Sequence, residues 1–168
     1  MIRILKNIQA AVRNRTTYRA GLLQAKVYRA LKTYTGDKLS VHNISTIDWA
    51  LLGLLYDNSD GIRSSHLAEE LGVEAPFVTV LFGKLKKMNL VDSKVDKNDS
   101  RVKNIFLTPK GKLFMPKVEA ELFQELKIFI EDIPKKDVVV YLSVLEQIIN
   151  NSKKVSLKAS RHAYYEGV

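Results

Sequence analysis

Cysteine is absent from all 168 residues. That excludes a disulfide scaffold, a thiol redox switch, a thiolate zinc site and a cysteine nucleophile, and it fits a cytoplasmic setting. No uninterrupted apolar run reaches the length of about 18 residues that crosses a bilayer, so no membrane-spanning helix is expected. The opening MIRILKNIQAAVRNR lacks the continuous apolar core and small-residue cleavage site of a secretory signal. It is basic and acid-free, as organellar transit peptides are, but serine is not enriched and the helical spacing continues to Tyr34. There is no internal repeat.

Acidic residues are missing from particular stretches. Residues 1–36 hold eight Lys/Arg and no Asp or Glu, and residues 84–112 hold nine Lys/Arg against three Asp. Residues 153–168 carry +3, while the remainder of a chain whose total is +9 carries −8. Basic blocks on an acidic body mark surfaces that meet an anion, most often nucleic acid or a membrane. A hydrophobic share of 46% is enough for a core, and the length suits one compact domain with or without extended arms.

Apolar spacing predicts the elements. Ile4, Ile8, Val12, Ala20, Leu23, Val27, Ala30, Leu31 and Tyr34 predict one long or broken helix that Gly36-Asp37 stops. Ser45-Thr46-Ile47-Asp48 is a capping-box variant opening the nearly all-apolar helix IDWALLGLLYD, central to the core. Asn58-Ser59-Asp60-Gly61 is a turn. A helix from Ser64 to Leu71 ends at Gly72, and Pro76 sits in the first turn of another that runs to about Met88. The inward stripe of the second is Val78, Leu81, Phe82 and Leu85, and the pair forms a helix-turn-helix.

Residues 90–95 and 102–107 are strand-like, joined by the charged turn DKNDSR. Thr108 then caps a helix with Pro109 at its first position, carrying Leu113, Phe114, Val118, Leu122, Phe123, Leu126 and Phe129. Pro116 either kinks that helix or marks a late start. Asp132-Ile133-Pro134 breaks the chain before a last helix bearing Val138, Tyr141, Leu142, Leu145 and Ile148. The tail from Lys153 shows no regular pattern and is expected to be mobile. The fold class is therefore mainly α with a small β-hairpin, a winged helix-turn-helix.

The run HLAEELGVEAPFVTVLFGKLKKMNLVDSKVDKNDSRVKNIFLTPKGKLF closely resembles the MarR family of transcriptional regulators. The matching elements are Leu67-Ala68, Leu71-Gly72-Val73, Val78-Thr79, Leu85, Leu90-Val91, Asp99-Ser100-Arg101 and Leu107-Thr108-Pro109-Lys110-Gly111. Similarity in detail covers roughly residues 40–125, and outside that span only the helical layout agrees. The resemblance implies a homodimer with intertwined terminal helices, gripping a pseudo-palindromic DNA duplex, with repression of transcription as the expected activity. It divides the chain into a basic dimerisation helix (1–36), the winged helix-turn-helix (37–111), C-terminal dimerisation helices (112–152) and a basic tail (153–168).

The family likeness also implies contacts. A wing arginine enters the minor groove and an aspartate positions it, places held here by Arg101 and Asp99, with Lys97, Asn98 and Lys103 beside them. A narrow minor groove concentrates negative potential, which suits a guanidinium. The alternative for the pair is a solvated ion pair worth little. On the recognition helix, Ala75, Pro76, Phe77, Thr79, Val80 and Lys84 face the major groove by the same likeness. This face departs from the family pattern, because Val80 stands where arginine is common and apolar groups cannot make bidentate contacts to guanine. Ser64, Ser65, Lys86 and Lys87 are candidates for phosphate contact, which sets register without reading sequence.

The apolar recognition face leaves open a protein-interaction or architectural module without strong sequence specificity. Residues 1–36 alternatively form a basic amphipathic helix at a membrane surface. Many family members bind a small aromatic effector between the dimer helices and the lobe, and Tyr28, His42 and Trp49 lie on segments that could line such a pocket. The three histidines are far apart, no metal cluster or phosphate-binding loop stands out, and no cofactor or catalytic constellation is expected.

Overall fold

The computed structural model describes residues 17–95 and 103–165, with backbone alone for Thr17 and 155–165. The chain order is α1 (Thr17–Ser40), α2 (Thr46–Asp57), β1 (Ile62–Arg63), α3 (Ser64–Leu71), α4 (Ala75–Lys87), β2 (Val91–Val95), β3 (Lys103–Leu107), α5 (Pro109–Leu126), a 3-10 turn (Lys127–Phe129) and α6 (Lys135–Tyr165). It forms two compact units, one ending at Gln124 and the other beginning at Glu125.

In the first unit the local signals act as the sequence suggests. Ser45 Oγ accepts from Asp48 N at 3.3 Å, while Asp48 Oδ2 accepts from Ser45 N at 2.8 Å, closing the capping box. The helix it opens, α2, buries Leu51, Leu52 and Leu55. Gly72 takes the left-handed conformation (φ 64°) after α3 and donates to the carbonyls of Ala68 and Glu69. That conformation carries little penalty without a Cβ, so α3 stops and α4 starts within a few residues. Leu67, Ala68, Val78, Leu81 and Leu85 are buried where the two helices meet the core, whereas Phe82 is only half-buried.

Three features differ from the sequence expectation. α1 runs through Gly36-Asp37 to Ser40. An interior glycine costs about 1 kcal/mol, but Leu39 and Thr35 are both buried on this last turn, and burying one leucine contributes about 2 kcal/mol. The chain instead leaves the helix at Asn43, in the left-handed region at φ 59°. The hairpin gains a third strand, β1, giving the antiparallel order β1-β3-β2 with Ile62 opposite Ile105 and Val91 opposite Leu107. Two residues are too short to show strand periodicity. Finally, α5 continues unbroken from Pro109 past Pro116, so Pro116 does not mark a late start.

The core of this unit joins α2, α3 and α4 to the sheet and to α5, through Leu52, Leu67, Val78, Leu85, Val91, Ile105, Met115, Val118 and Leu122 among others. In the second unit, α6 extends to Tyr165 instead of giving way to an irregular tail. No glycine or proline interrupts the sequence between Pro134 and Gly167, so nothing local stops the helix. Tyr141, Val144 and Ile148 form a stripe at three- and four-residue spacing, and each is about half exposed.

Candidate nucleic-acid interface

The loop between α3 and α4 and the register of the sheet bring dispersed polar residues together. Arg63, Ser64, Ser65, Thr79, Phe82, Ser93, Lys103 and Ile105 line one cleft of about 460 Å³. Arg63 precedes α3, whose first two residues are Ser64 and Ser65, and among the described residues no side chain caps this helix end. Backbone N–H groups at a helix start and two flanking cations favour an anion, and the described lining contains no acid. Lys103 enters because β3 pairs with both other strands, and its neighbour Asn104 lies opposite Arg63.

Thus Ser64, Ser65, Thr79 and Lys103, chosen from sequence on separate grounds, share one surface. Arg63 was missed by the sequence reading. Its signal was its position immediately before the Ser64-Ser65 helix start.

The outward side of α4 is apolar. Ala75, Pro76, Phe77, Thr79 and Val80 are exposed, with Val80 at 65%. The Thr79 hydroxyl donates to the Ala75 carbonyl at 3.5 Å, within its own helix. Lys84, the other polar candidate on this helix, points its ammonium to Asp48 Oδ2. That carboxylate is buried and also accepts from Ser45 Oγ at 2.7 Å. The sequence placed Lys84 among groups for the major groove, whereas its Nζ pairs instead with the capping box of α2.

Lys86 donates to Asp92 Oδ1 at 2.7 Å and lies over the Phe82 ring. This bond, helped by Ser93 N, holds the Asp92 carboxyl below the usual carboxylate range. A depressed pKa means the pair contributes above the unfolded value and fades as pH falls through the folded one. Lys87 is exposed at the end of α4. Lys97, Asn98, Asp99 and Arg101 lie outside the described residues.

The end of α4 is held by the residues that follow the sheet. Asn89 takes φ 58°, Thr108 N donates to Leu90 O at 3.0 Å, and Thr108 Oγ1 donates to Asn89 O at 2.7 Å. Lys110 Nζ donates to Met88 O at 2.8 Å. Thr108 Oγ1 also accepts from Gly111 N at 3.0 Å, capping α5. The run Thr108-Pro109-Lys110-Gly111 therefore anchors the end of α4 to the start of α5.

A second cavity of about 710 Å³ opens between α2 and α5, with Trp49, Gly53, Tyr56, Asp57, Met115, Glu119 and Phe123 in its wall. Trp49 Nε1 donates to Glu119 Oε2 at 3.0 Å. Of the three aromatic-effector candidates, Trp49 alone lines it. His42 Nε2 donates to Glu121 Oε2 at 2.8 Å with its ring edge-on to Phe114, and Tyr28 is exposed with Lys32 over its ring. No group of three or more His, Asp or Glu is placed to hold a metal ion among the described residues.

Residues 42–102 match the model of the MarR family. The fold is similar to that of Staphylococcus aureus MepR in a DNA complex, at 22% identity over 82% of this chain and 99% of that one, with a TM-score of 0.69. A MarR transcriptional regulator from Methanosarcina mazei shares 24% identity, with 81% and 97% of the chains covered and a TM-score of 0.71. CouR from Rhodococcus jostii, bound to p-coumaroyl-CoA, shares 21% identity over 77% and 90% of the chains, at a TM-score of 0.72. No curated protein sequence matches this chain.

Proposed function

We propose that the chain is a member of the MarR family, whose model residues 42–102 match, and that it is a dimeric DNA-binding repressor of transcription. The observation that carries this reading is the acid-free cleft joining Arg63, Ser64, Ser65, Thr79 and Lys103. It would seat a backbone phosphate beside α4, leaving α4 to meet the major groove and the wing to meet the minor groove. DNA in the MepR complex and a bound ligand in CouR support the same pair of roles, contact with a duplex and control by a small molecule. The cavity walled by Trp49 is the proposed effector site.

Dimerisation is supported by apolar surface in each unit. Leu113 is 77% exposed on α5, and α6 carries the stripe through Tyr141, Val144 and Ile148. Each such side chain buried in a partner would contribute about 2 kcal/mol before association costs. A two-fold dimer places two recognition helices about one duplex turn apart, which calls for a pseudo-palindromic site.

Selection of sites from random duplex DNA tests this function. A two-fold motif is expected, and salt-sensitive binding with no motif would leave an architectural module instead. That second reading is favoured by the exposed Phe77 and Val80 on α4.

Two sets of variants separate the contacts, read by anisotropy of labelled duplex across a salt series. Arg63→Ala and Lys103→Ala are each expected to lower the log–log salt slope by about 1 and weaken all sequences alike. Arg101→Ala is expected to weaken binding several-fold while the dimer persists in sedimentation. Unchanged affinity would remove the wing arginine from the interface.

A further inference from the structure

The cavity between α2 and α5 has a charge opposite to that of the whole chain. The protein carries +9, yet the described cavity wall contains two carboxylates, Asp57 and Glu119, and no Lys, Arg or His. Asp57 is the last residue of α2, where the helix dipole adds partial negative charge. Glu119 is fixed by the Trp49 indole on Oε2, so its charge is held at the wall instead of swinging into solvent. The remaining surface suits an apolar body: the Trp49, Tyr56 and Phe123 rings and the Met115 thioether all line the space. Aromatic faces attract cations through their quadrupole, and carboxylates add direct Coulomb attraction.

We propose that this site takes an organic cation of aromatic or quaternary type, in preference to an anionic aromatic acid. The inference rests on the reading of this cavity as the effector site and specifies its ligand class. An acid would have to give up hydration against two carboxylates with no cation in the wall to receive it. A cavity of about 710 Å³ has room for several rings.

Trp49 is the sole tryptophan of the chain, so its fluorescence reports occupancy directly. Tetraphenylphosphonium and tetraphenylborate are nearly isosteric and opposite in charge, and each is titrated into the full-length protein without DNA. The net charge favours the borate everywhere else, so a preference for the cation can only be local. Saturable binding of the phosphonium, tighter than the borate by about tenfold or more, is expected. Asp57→Asn and Glu119→Gln should each weaken it several-fold, and the second substitution keeps an acceptor oxygen for the indole.

Equal or tighter binding of the borate, no saturable phosphonium binding, or an unchanged phosphonium affinity in the double variant would overturn the proposal. Duplex anisotropy with and without the phosphonium separates the two levels of the argument. Cation binding that leaves DNA affinity unchanged supports the site and removes its effector role. Release of DNA by the borate alone keeps the effector role and removes the cation preference.

Discussion

Replacing Gly111 with alanine is expected to destabilise the winged helix-turn-helix lobe by about 3 kcal/mol or more. A Cβ at this position would lie 2.1 Å from Leu90 O and 3.2 Å from Leu107 Cδ2. Leu90 O cannot simply turn aside, because it accepts from Thr108 N at the start of the same helix. The strain would pass into the end of α4 through Asn89, Leu90 and Thr108, which are bonded together there. Equilibrium urea unfolding at fixed protein concentration measures the loss.

Gly83→Ala supplies a control of opposite sign. Nothing lies within 4 Å of a Cβ built on Gly83, which sits inside α4. Alanine there should stabilise by about 0.5–1 kcal/mol through helix propensity. If Gly111→Ala unfolded at the same urea concentration as the parent, the close approach at Leu90 would not be what holds this joint.

Lys84→Met is expected to cost about 2–3 kcal/mol. Removing one member of a buried pair leaves the other charge uncompensated, and Asp48 is fully buried while its Oδ1 has no hydrogen-bond partner among the described residues. The full penalty of a buried pair is discounted because the Lys84 side chain is 44% exposed. Ser45 also continues to donate to the carboxylate. The Asp48→Asn, Lys84→Met double variant should lose less than the sum of the two single losses, since no unpaired charge remains. Additive losses would show that the pair contributes no coupling.

On the proposed function, this pair would give Lys84 a role in DNA binding that needs no contact with DNA. It ties α4 to α2, and α2 carries Trp49, Gly53 and Tyr56 into the cavity proposed as the effector site. Lys84→Met should therefore weaken duplex binding by disturbing the placement of α4, with little change in salt slope. A loss of about one unit of slope would instead make Lys84 a phosphate contact.

Several parts of the site were legible because their physics is local. Ser45 and Asp48 are three residues apart and cap α2 whatever lies beyond them, and Gly72 supplies the left-handed stop after α3 wherever the two helices pack. Thr108 and Pro109 start α5 in the same way. Local rules failed where a small penalty was met by distant packing. Gly36 reads as a stop, but burial of Thr35 and Leu39 carries α1 through it. β1 is two residues long and exists because β3 offers it an edge.

By itself the sequence determined the order of the helices and of the two hairpin strands, the caps of α2, α3 and α5, the segregation of basic blocks and the run Thr108-Pro109-Lys110-Gly111. These follow from propensity, periodicity and charge within a few residues. Tertiary structure alone decided that Lys84 meets Asp48 across 36 positions, that Arg63 joins Lys103 in one cleft, and that Trp49 faces Glu119 in an acidic cavity. Those juxtapositions depend on how α2, α4, α5 and the sheet pack, and the distances between side chains on different elements are set by that packing.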